Sequence, residues 1–199
     1  MTQAEATDYR HLHEQRRAEV RAALRPLVAG HERIVLEIGC GHGHFLEAYA
    51  AAHPDVFCLG IDLMSDRIRR GTRKKERSRL ANLAFLHASA SDLLAALPEH
   101  VKLGAIFVLF PDPWPKRRHW KNRLIQPEFL DGLAAHAIPG APFHFRTDHA
   151  PYFEEARAVV AAHSKWKLAP STAVWPFEFT TVFQARAPSY QSLIAHRIA

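Results

Sequence analysis

The stretch Arg33–His44, RIVLEIGCGHGH, joins an apolar run to a glycine-rich loop and decides the fold. Its β-branched first half predicts a buried strand, and Phe45–Ala52 predicts a helix directly after the loop. Gly39, Gly41 and Gly43 let the backbone turn tightly and approach a ligand closely, while the helix N-terminus offers free N–H groups. This strand–loop–helix arrangement predicts an α/β sheet with a ligand site at the carboxyl ends of its strands.

Strands and helices alternate along the rest of the chain. Apolar runs predict further strands at Val56–Asp62, Leu83–Ala88, Gly104–Phe110, Ala141–Thr147, Trp166–Leu168 and Phe177–Phe183. Helical patterns occur at Arg10–Arg25 (which we expect to end at Pro26), Met64–Leu80, Leu93–Leu97, Pro127–Ala137 and Pro151–His163. The alternation predicts a doubly wound, mostly parallel seven-stranded α/β sheet with helices on both faces. We expect a basic helical extension over residues 1–32 and one domain over residues 33–199.

Composition restricts the classes of function. The 199 residues carry a formal charge of +6 and give a sequence pI of about 9.6, which favours an anionic partner such as nucleic acid. No run reaches the ~18 apolar residues of a membrane helix, so we expect a cytoplasmic protein without membrane association. Cys40 and Cys58 have no metal-ligand spacing and the 14 histidines form no HExxH pattern, so no metal site is expected.

An acidic residue, Asp62, ends the second predicted strand about 20 positions after the glycines. A carboxylate there suits a ribose diol because it accepts both hydroxyl protons, although Asp62 could instead cap the next helix. Dinucleotide-binding and S-adenosylmethionine-binding folds both use a glycine loop. Here Gly43 comes one residue too early for G-x-G-x-x-G, and Glu37 lies on the first strand. Both features resemble S-adenosylmethionine-dependent methyltransferases, in which the loop faces the amino acid part of the cofactor.

The most informative stretch is Ile106–Leu130, IFVLFPDPWPKRRHWKNRLIQPEFL. Pro111 and Pro113 stop a buried strand and hold Asp112 at its carboxyl end on a stiff loop. Two indoles follow, with the cationic residues Lys116, Arg117, Arg118, Lys121 and Arg123. Indoles can stack on bases and cations can contact phosphates, whereas the alternative interpretation is a solvated basic loop.

The segment from Phe110 to Leu124 resembles the signature of the tRNA (guanine-N7)-methyltransferase family, F-P-D-P-W-x-K-x-R-H-x-K-R-R-L. It departs from that signature at Asn122, where the family has arginine. The resemblance covers residues from about 33 to 186. It implies a strand order of 3-2-1-4-5-7-6 with the last strand antiparallel, S-adenosylmethionine as the cofactor, tRNA as the partner and guanine N7 as the methyl acceptor. Asp112 is then the catalytic residue, and Lys116 holds phosphate or ribose.

Further matches to the family assign other residues. Thr147–Tyr152 is similar to the family's T-D-x-x-x-Y, which makes Asp148 a contact to the target guanine, although Asp148 could also cap the following helix. The family's C-terminal T-x-[FY]-E-x-[KR] places Thr181, Gln184 and Arg186 at the substrate, with Gln184 replacing the acidic residue. Ser89 stands where the family usually has an aspartate next to the adenine of the cofactor.

These departures leave alternatives open. Ser89 and Gln184 allow a methyltransferase of the same fold that acts on another RNA or on a small molecule, and a nucleic-acid-binding module without catalysis is a third hypothesis. The basic pattern of Arg10–Arg25 suits either RNA contact or cover for a sheet edge. Met64–Leu80 is the densest positive patch of the chain, either an RNA contact or a solvated face. The sequence leaves monomer and homodimer open.

Overall fold

The computed structural model describes the backbone of residues 3–180, 184, 185, 187 and 189–199, and side chains within those ranges from residue 11 onward. Seven strands form a single sheet: β1 (Arg33–Ile38), β2 (Phe57–Asp62), β3 (Leu83–His87), β4 (Lys102–Leu109), β5 (Pro142–Thr147), β6 (Trp166–Leu168) and β7 (Gln191–Arg197). The helices are α1 (Gln3–Val28), α2 (His44–Ala52), α3 (Ser65–Ser78), α4 (Ala90–Ala96), α5 (Pro127–His136) and α6 (Ala150–Ala162). A short 3₁₀ helix covers Arg117–Asn122.

The strand order is β3-β2-β1-β4-β5-β7-β6, which confirms the order that the family resemblance implied. The pairs among β1 to β5 are parallel, whereas β7 runs antiparallel to both β5 and β6. The central strands are buried along most of their length because helices cover both faces. The expected doubly wound sheet is therefore confirmed, and the carboxyl ends of β1, β2 and β4 meet at one edge.

Two apolar layers enclose the sheet. One face is covered by α1, α4, α5 and α6, and α1 contributes Val20, Leu24 and Val28 to that layer. The other face is covered by α2 and α3, with Phe45, Leu46 and Ile68 among the buried residues. Within the described chain, no helix is long and apolar enough to cross a lipid bilayer.

The predicted strand at Phe177–Phe183 is wrong over its described part. Residues 177–180 are irregular, and Phe177 and Phe179 instead pack against the apolar layer that contains α2, where the ring of Phe177 meets those of Phe45 and Tyr49. The seventh strand is Gln191–Arg197, where Leu193 and Ala195 alternate with less buried residues. In this segment the aromatic alternation therefore reflects packing on the α2 layer rather than membership of the sheet.

The prediction that α1 ends at Pro26 is wrong, because the helix continues to Val28. The apolar residues Val20, Leu24 and Val28 recur every four positions, and all three are buried. Burial of Val28 offsets the hydrogen bond that proline cannot donate in the last turn. Helix α4 also begins earlier than predicted, at Ala90.

Candidate active site

A cleft of about 390 Å³ opens at the carboxyl ends of β1, β2 and β4, where an open α/β sheet is expected to bind its ligand. Two carboxylates, Asp62 and Asp112, line it, together with the aromatic residues Phe110 and Trp114. Its volume lies in the range of about 300–1,000 Å³ that is usual for small-molecule sites. The structure therefore brings the two acidic residues that the sequence selected into one cleft.

Asp62 ends β2 and is almost fully buried. Its Oδ2 accepts a hydrogen bond from the backbone N–H of Gly41 at 2.9 Å, and its Oδ1 accepts one from the N–H of Met64 at 2.8 Å. The guanidinium of Arg67 lies 3.6 Å from Oδ2. Each carboxylate oxygen keeps a second lone pair, so Asp62 can hold the glycine loop and still accept from a ligand hydroxyl. The alternative role of Asp62 as the cap of α3 is wrong, because the N-cap is Met64, and Asp62 instead holds the backbone N–H of that residue.

Glu37 lies one residue before the end of β1 and is buried beside Asp62. Burial, and then the neighbouring charge of Asp62, raises its pKa from 4.5 to about 8, while a hydrogen bond from the Leu46 backbone opposes the shift. Its Oε2 is buried and has no hydrogen-bond partner among the described residues. A buried carboxyl group with an unsatisfied oxygen suits a ligand that brings a positive charge or a donor.

The glycine loop requires its glycines for two different reasons. Gly41 has a φ of 54°, in the left-handed region that a side chain disfavours. Gly43 has a φ of 70°, and a Cβ at this position would overlap the ring of Phe85 from β3. Gly39 contributes directly to the cleft lining. The three glycines that the sequence selected therefore shape the loop, and one of them lines the candidate site.

The loop that carries Asp112 has a strained backbone on both sides. Phe110 has a φ of 51° and Trp114 a φ of 44°, values that are uncommon for bulky residues. Phe110 is held by a 2.7 Å hydrogen bond from its N–H to the carbonyl of Arg146 on β5. Asp112 is exposed between them at the cleft. Such strain persists only where the surroundings fix the conformation, and it is concentrated at functional sites.

Arg123 fixes the other end of that loop. Its side chain is completely buried, its Nε donates to the carbonyl of Pro113 at 2.9 Å, and its Nη1 pairs with Glu155 on α6. The guanidinium lies between the rings of Trp120, at 4.5 Å, and Tyr152, at 4.9 Å. Arg123 therefore cannot contact a phosphate, in contrast to the cationic cluster in which the sequence placed it. A charged residue in a basic run gave no sequence signal of burial.

The remaining predicted residues lie in different surroundings. Lys116 is exposed just before the 3₁₀ helix, and Asp148 is exposed at the end of β5. The cap of α6 is His149, whose Nδ1 accepts from the N–H of Tyr152 at 3.2 Å, so the alternative role of Asp148 as that cap is wrong. Ser89 caps α4 by accepting from the N–H of Asp92 at 3.0 Å.

Gln184 contacts the hydroxyl of Tyr190, with its amide 2.9 Å from that oxygen. In the turned orientation of the amide, its oxygen accepts from Nη1 of Arg146 at 3.3 Å and its nitrogen donates to the carbonyl of Phe179 at 3.2 Å, so both ends of the group are satisfied. The ring of Tyr190 lies 5.8 Å from that of Phe110. Gln184 is thus linked to the Asp112 loop through Tyr190, whose ring contacts Phe110. Thr181 and Arg186 lie outside the described residues.

A buried histidine, His144, packs between the ring of Phe107 in the sheet and that of Trp175. His144 on β5 stacks on Phe107 with a ring separation of 4.4 Å and meets the ring of Trp175 edge-on at 5.3 Å. Its Nδ1 donates to the carbonyl of Ile106 at 3.2 Å. Burial lowers its pKa from 6.5 to about 4, so this histidine is neutral near pH 7.

The fold is that of Rossmann-like methyltransferases. The 16S rRNA methyltransferase KamB superposes with a TM-score of 0.64 at 23% sequence identity, covering 89% of this chain and 94% of that one. A W203A mutant of the 16S rRNA (adenine(1408)-N(1))-methyltransferase from Catenulisporales acidiphilia, solved with its cosubstrate SAM, gives a TM-score of 0.61 at 20% identity, over 90% of this chain and 92% of that one. At these identities the likeness establishes the fold alone.

Sequence relatives define the family more closely. A family described as "Putative methyltransferase" matches residues 31–189, and the chain belongs to it. Proteins named tRNA (guanine-N(7)-)-methyltransferase share 40% identity over 129 residues in Nocardia farcinica and 32% over 169 residues in Magnetococcus marinus. The first match covers 65% of this chain and 48% of the relative, the second 83% and 67%. The chain thus spans about half the length of relatives such as the Nocardia protein.

Proposed function

We propose that this protein transfers a methyl group from S-adenosylmethionine to N7 of a guanine in tRNA. The observation that carries the proposal is the joint placement of Asp62 and Asp112 in one cleft, at the carboxyl ends of neighbouring parts of the sheet. The relatives' names supply the substrate class, and the F-P-D-P-W loop that characterises the family is the loop that presents Asp112.

The cleft has the groups that S-adenosylmethionine requires. Asp62 can accept from the ribose hydroxyls through its free lone pairs, and Glu37 offers an unsatisfied buried oxygen for the ammonium of the amino acid part. The glycine loop permits close backbone approach. Ala88 and Ala90 line the cleft on either side of Ser89, so the adenine would lie against small side chains there. When bound, the cofactor supplies an electrophilic methyl group on a sulfonium.

Guanine N7 carries a lone pair and no proton, so the step needs no general base. The contribution of the protein is orientation and electrostatics. Asp112 projects into the cleft from a loop that is fixed at Phe110 and at Pro113, so its carboxylate can hold the guanine and stabilise the positive charge that develops on the purine. The ring of Trp114 lines the same cleft and can exclude water from it.

Asn122 favours a second candidate function. It lines the cleft at the position where the family signature has arginine, so one cation is missing beside Asp112. A methyltransferase that acts on another RNA, or on a small molecule, would account for that change and for Gln184. Both candidates share the cofactor and the cleft, and they differ in the methyl acceptor.

Mapping methylated nucleosides separates these candidates. Undermodified tRNA is incubated with the protein and S-adenosylmethionine, digested, and analysed for N7-methylguanosine by mass spectrometry. We expect N7-methylguanosine at a defined site, with Asp112→Asn as the inactive control. Formation of a different methylated nucleoside, or transfer to rRNA and not to tRNA, would assign the second candidate instead.

A further inference from the structure

A second and larger cleft, of about 730 Å³, lies between the glycine loop and α3. None of its described lining residues also lines the candidate active site. Two histidines of the loop line it, together with four cationic residues of α3 and a single acidic residue. The basic cleft is formed by His42, His44, Arg70, Arg73, Lys74, Glu76 and Arg77.

The cationic residues of the basic cleft share one face of α3. Positions 70, 73, 74 and 77 are separated by three, four and seven residues, which places them on adjacent turns of a helix. They extend over about 10 Å along the axis, from the rise of ~1.5 Å per residue. This distance exceeds the size of a single phosphate group, so the face can contact more than one.

Lys74 joins the helix to the glycine loop. Its ammonium donates to the carbonyl of His42 at 3.0 Å and to Nδ1 of His44 at 2.8 Å, with Glu47 at 3.9 Å. Its side chain is only 16% exposed, which distinguishes it from a solvated surface lysine. Burial lowers the pKa of Lys74, and burial followed by the charge of Lys74 lowers the pKa of His44. Among the described lining residues, four cationic side chains face a single carboxylate, so positive charge predominates in the cleft.

The cationic residues of the basic cleft differ in how far they are neutralised within the chain. Arg70 pairs with Asp66 at 2.9 Å, whereas the described part of the chain shows no ion pair for Arg73 or Arg77. Both guanidinium-bearing residues are exposed. Planar guanidinium groups bind phosphate oxygens in a bidentate manner, so these two arginines are available to an anionic ligand.

We propose that the basic cleft binds backbone phosphates of the RNA substrate. The inference rests on the proposed function, since it assumes that the substrate is RNA, and it adds the surface that holds this substrate outside the catalytic cleft. A wide cleft whose described lining residues are all polar or charged, with several cations among them, suits a polyanion better than a compact apolar ligand. The shared loop would then join cofactor and RNA sites, with Gly41 bonded to Asp62 on one side and the carbonyl of His42 bonded to Lys74 on the other.

The test compares two charge-matched double variants. Arg73→Ala with Arg77→Ala removes two charges from the basic cleft, and Arg16→Ala with Arg21→Ala removes two exposed charges from α1, which covers the opposite face of the sheet. Equilibrium binding to tRNA is measured by filter retention between 50 and 300 mM salt. Calorimetric affinity for S-adenosylmethionine, measured on the same preparations, reports whether the fold and the catalytic cleft are intact.

We expect the α3 variant to bind tRNA roughly 20- to 60-fold more weakly at 0.1 M salt, with a log–log salt slope reduced by about 1.4 to 1.8, from ~0.7–0.9 per lost phosphate contact. The affinity of the α3 variant for S-adenosylmethionine should be unchanged. In the α1 variant, the loss of tRNA affinity and the reduction of the salt slope should each be less than a third of those in the α3 variant. Equal losses in both variants would overturn the proposal, because bulk charge would then explain them. Competition by tripolyphosphate at micromolar concentration without any tRNA defect would also overturn it, in favour of a small-anion site. If the tRNA-binding loss is specific to the α3 variant but the wild-type protein forms no N7-methylguanosine, the proposed function is refuted while the basic cleft remains an RNA-binding site.

Discussion

Replacing Arg123 by methionine tests how the Asp112 loop is held. The change removes a buried cation that pairs with Glu155, donates to Pro113 and lies between two rings. Breaking a buried ion pair by removing one partner costs about 3–5 kcal/mol. Glu155 retains 26% exposure and can recover water, and methionine fills most of the vacated volume, so the lower end applies. We therefore expect a loss of about 3 kcal/mol in the free energy of unfolding.

Chemical denaturation with urea measures that loss directly, and Tm should fall by about 6–12 °C, from ~2–4 °C per kcal/mol for a chain of this size. Lys121→Met is the matched control, because Lys121 is an exposed cation of the 3₁₀ helix that Arg123 directly follows, and its replacement should change stability by less than about 0.5 kcal/mol. At a temperature where both variants are folded, kcat for methyl transfer should fall only for Arg123→Met, since the loop loses its contact at Pro113. A stability change below about 1 kcal/mol, or one equal to that of Lys121→Met, would refute the role of Arg123 in holding the Asp112 loop.

Four further predictions concern the cleft and the core. Asp62→Ala should weaken S-adenosylmethionine binding by about 1–3 kcal/mol in calorimetry, the cost of losing hydrogen bonds to a charged group; unchanged affinity would remove Asp62 from the site. Asp112→Asn should reduce kcat on tRNA by about 10²- to 10³-fold while the circular dichroism spectrum stays that of the wild type, and wild-type turnover would contradict its catalytic role. The pKa of His144 is about 4 in the folded state, below its ordinary 6.5, so the unfolded chain takes up the proton first as the pH falls. The free energy of unfolding should therefore drop by about 3 kcal/mol between pH 6.5 and pH 4. In urea titrations over this pH range, His144→Gln should flatten the dependence. Gln184→Glu should raise kcat/KM on undermodified tRNA by about 5- to 150-fold, because a carboxylate can accept from both the ring N–H and the amine of guanine, whereas a lower value would favour a different substrate.

The sequence predicted the sheet well where one signal dominated. Apolar β-branched runs located β1 to β6 within two residues, and the strand order followed from the family resemblance. The glycine loop and Asp62 were correctly predicted to lie together because their positions depend on the local strand–loop–helix geometry. Asp112 followed from the two prolines that end its strand. These features depend on short-range chemistry, which a sequence displays directly.

The failures depend on contacts between distant segments. Phe177 and Phe179 alternate as strand residues do, yet they pack against the apolar layer of α2, where Phe177 meets the rings of Phe45 and Tyr49, and the sequence cannot indicate this. Arg123 belongs to a basic run, and its burial requires Trp120 and Tyr152 to approach it from two elements. The left-handed conformations of Phe110 and Trp114 are likewise imposed from outside, through the hydrogen bond to Arg146 and the contact at Pro113.

The insertion of β7 between β5 and β6 also orders the events of synthesis. Strand β6 pairs with β7 through Trp166, Lys167 and Leu168, and the described part of the sheet gives it no other neighbour. Until residues 191–197 have left the ribosome, β6 therefore has no strand to pair with, and the N–H of Ala169 lacks the carbonyl of Ile194 to which it donates. At ~5–20 residues per second, the nascent chain would hold a half-built sheet with an exposed β5 edge for seconds. Translation pauses in this interval should raise aggregation more than pauses placed before β5.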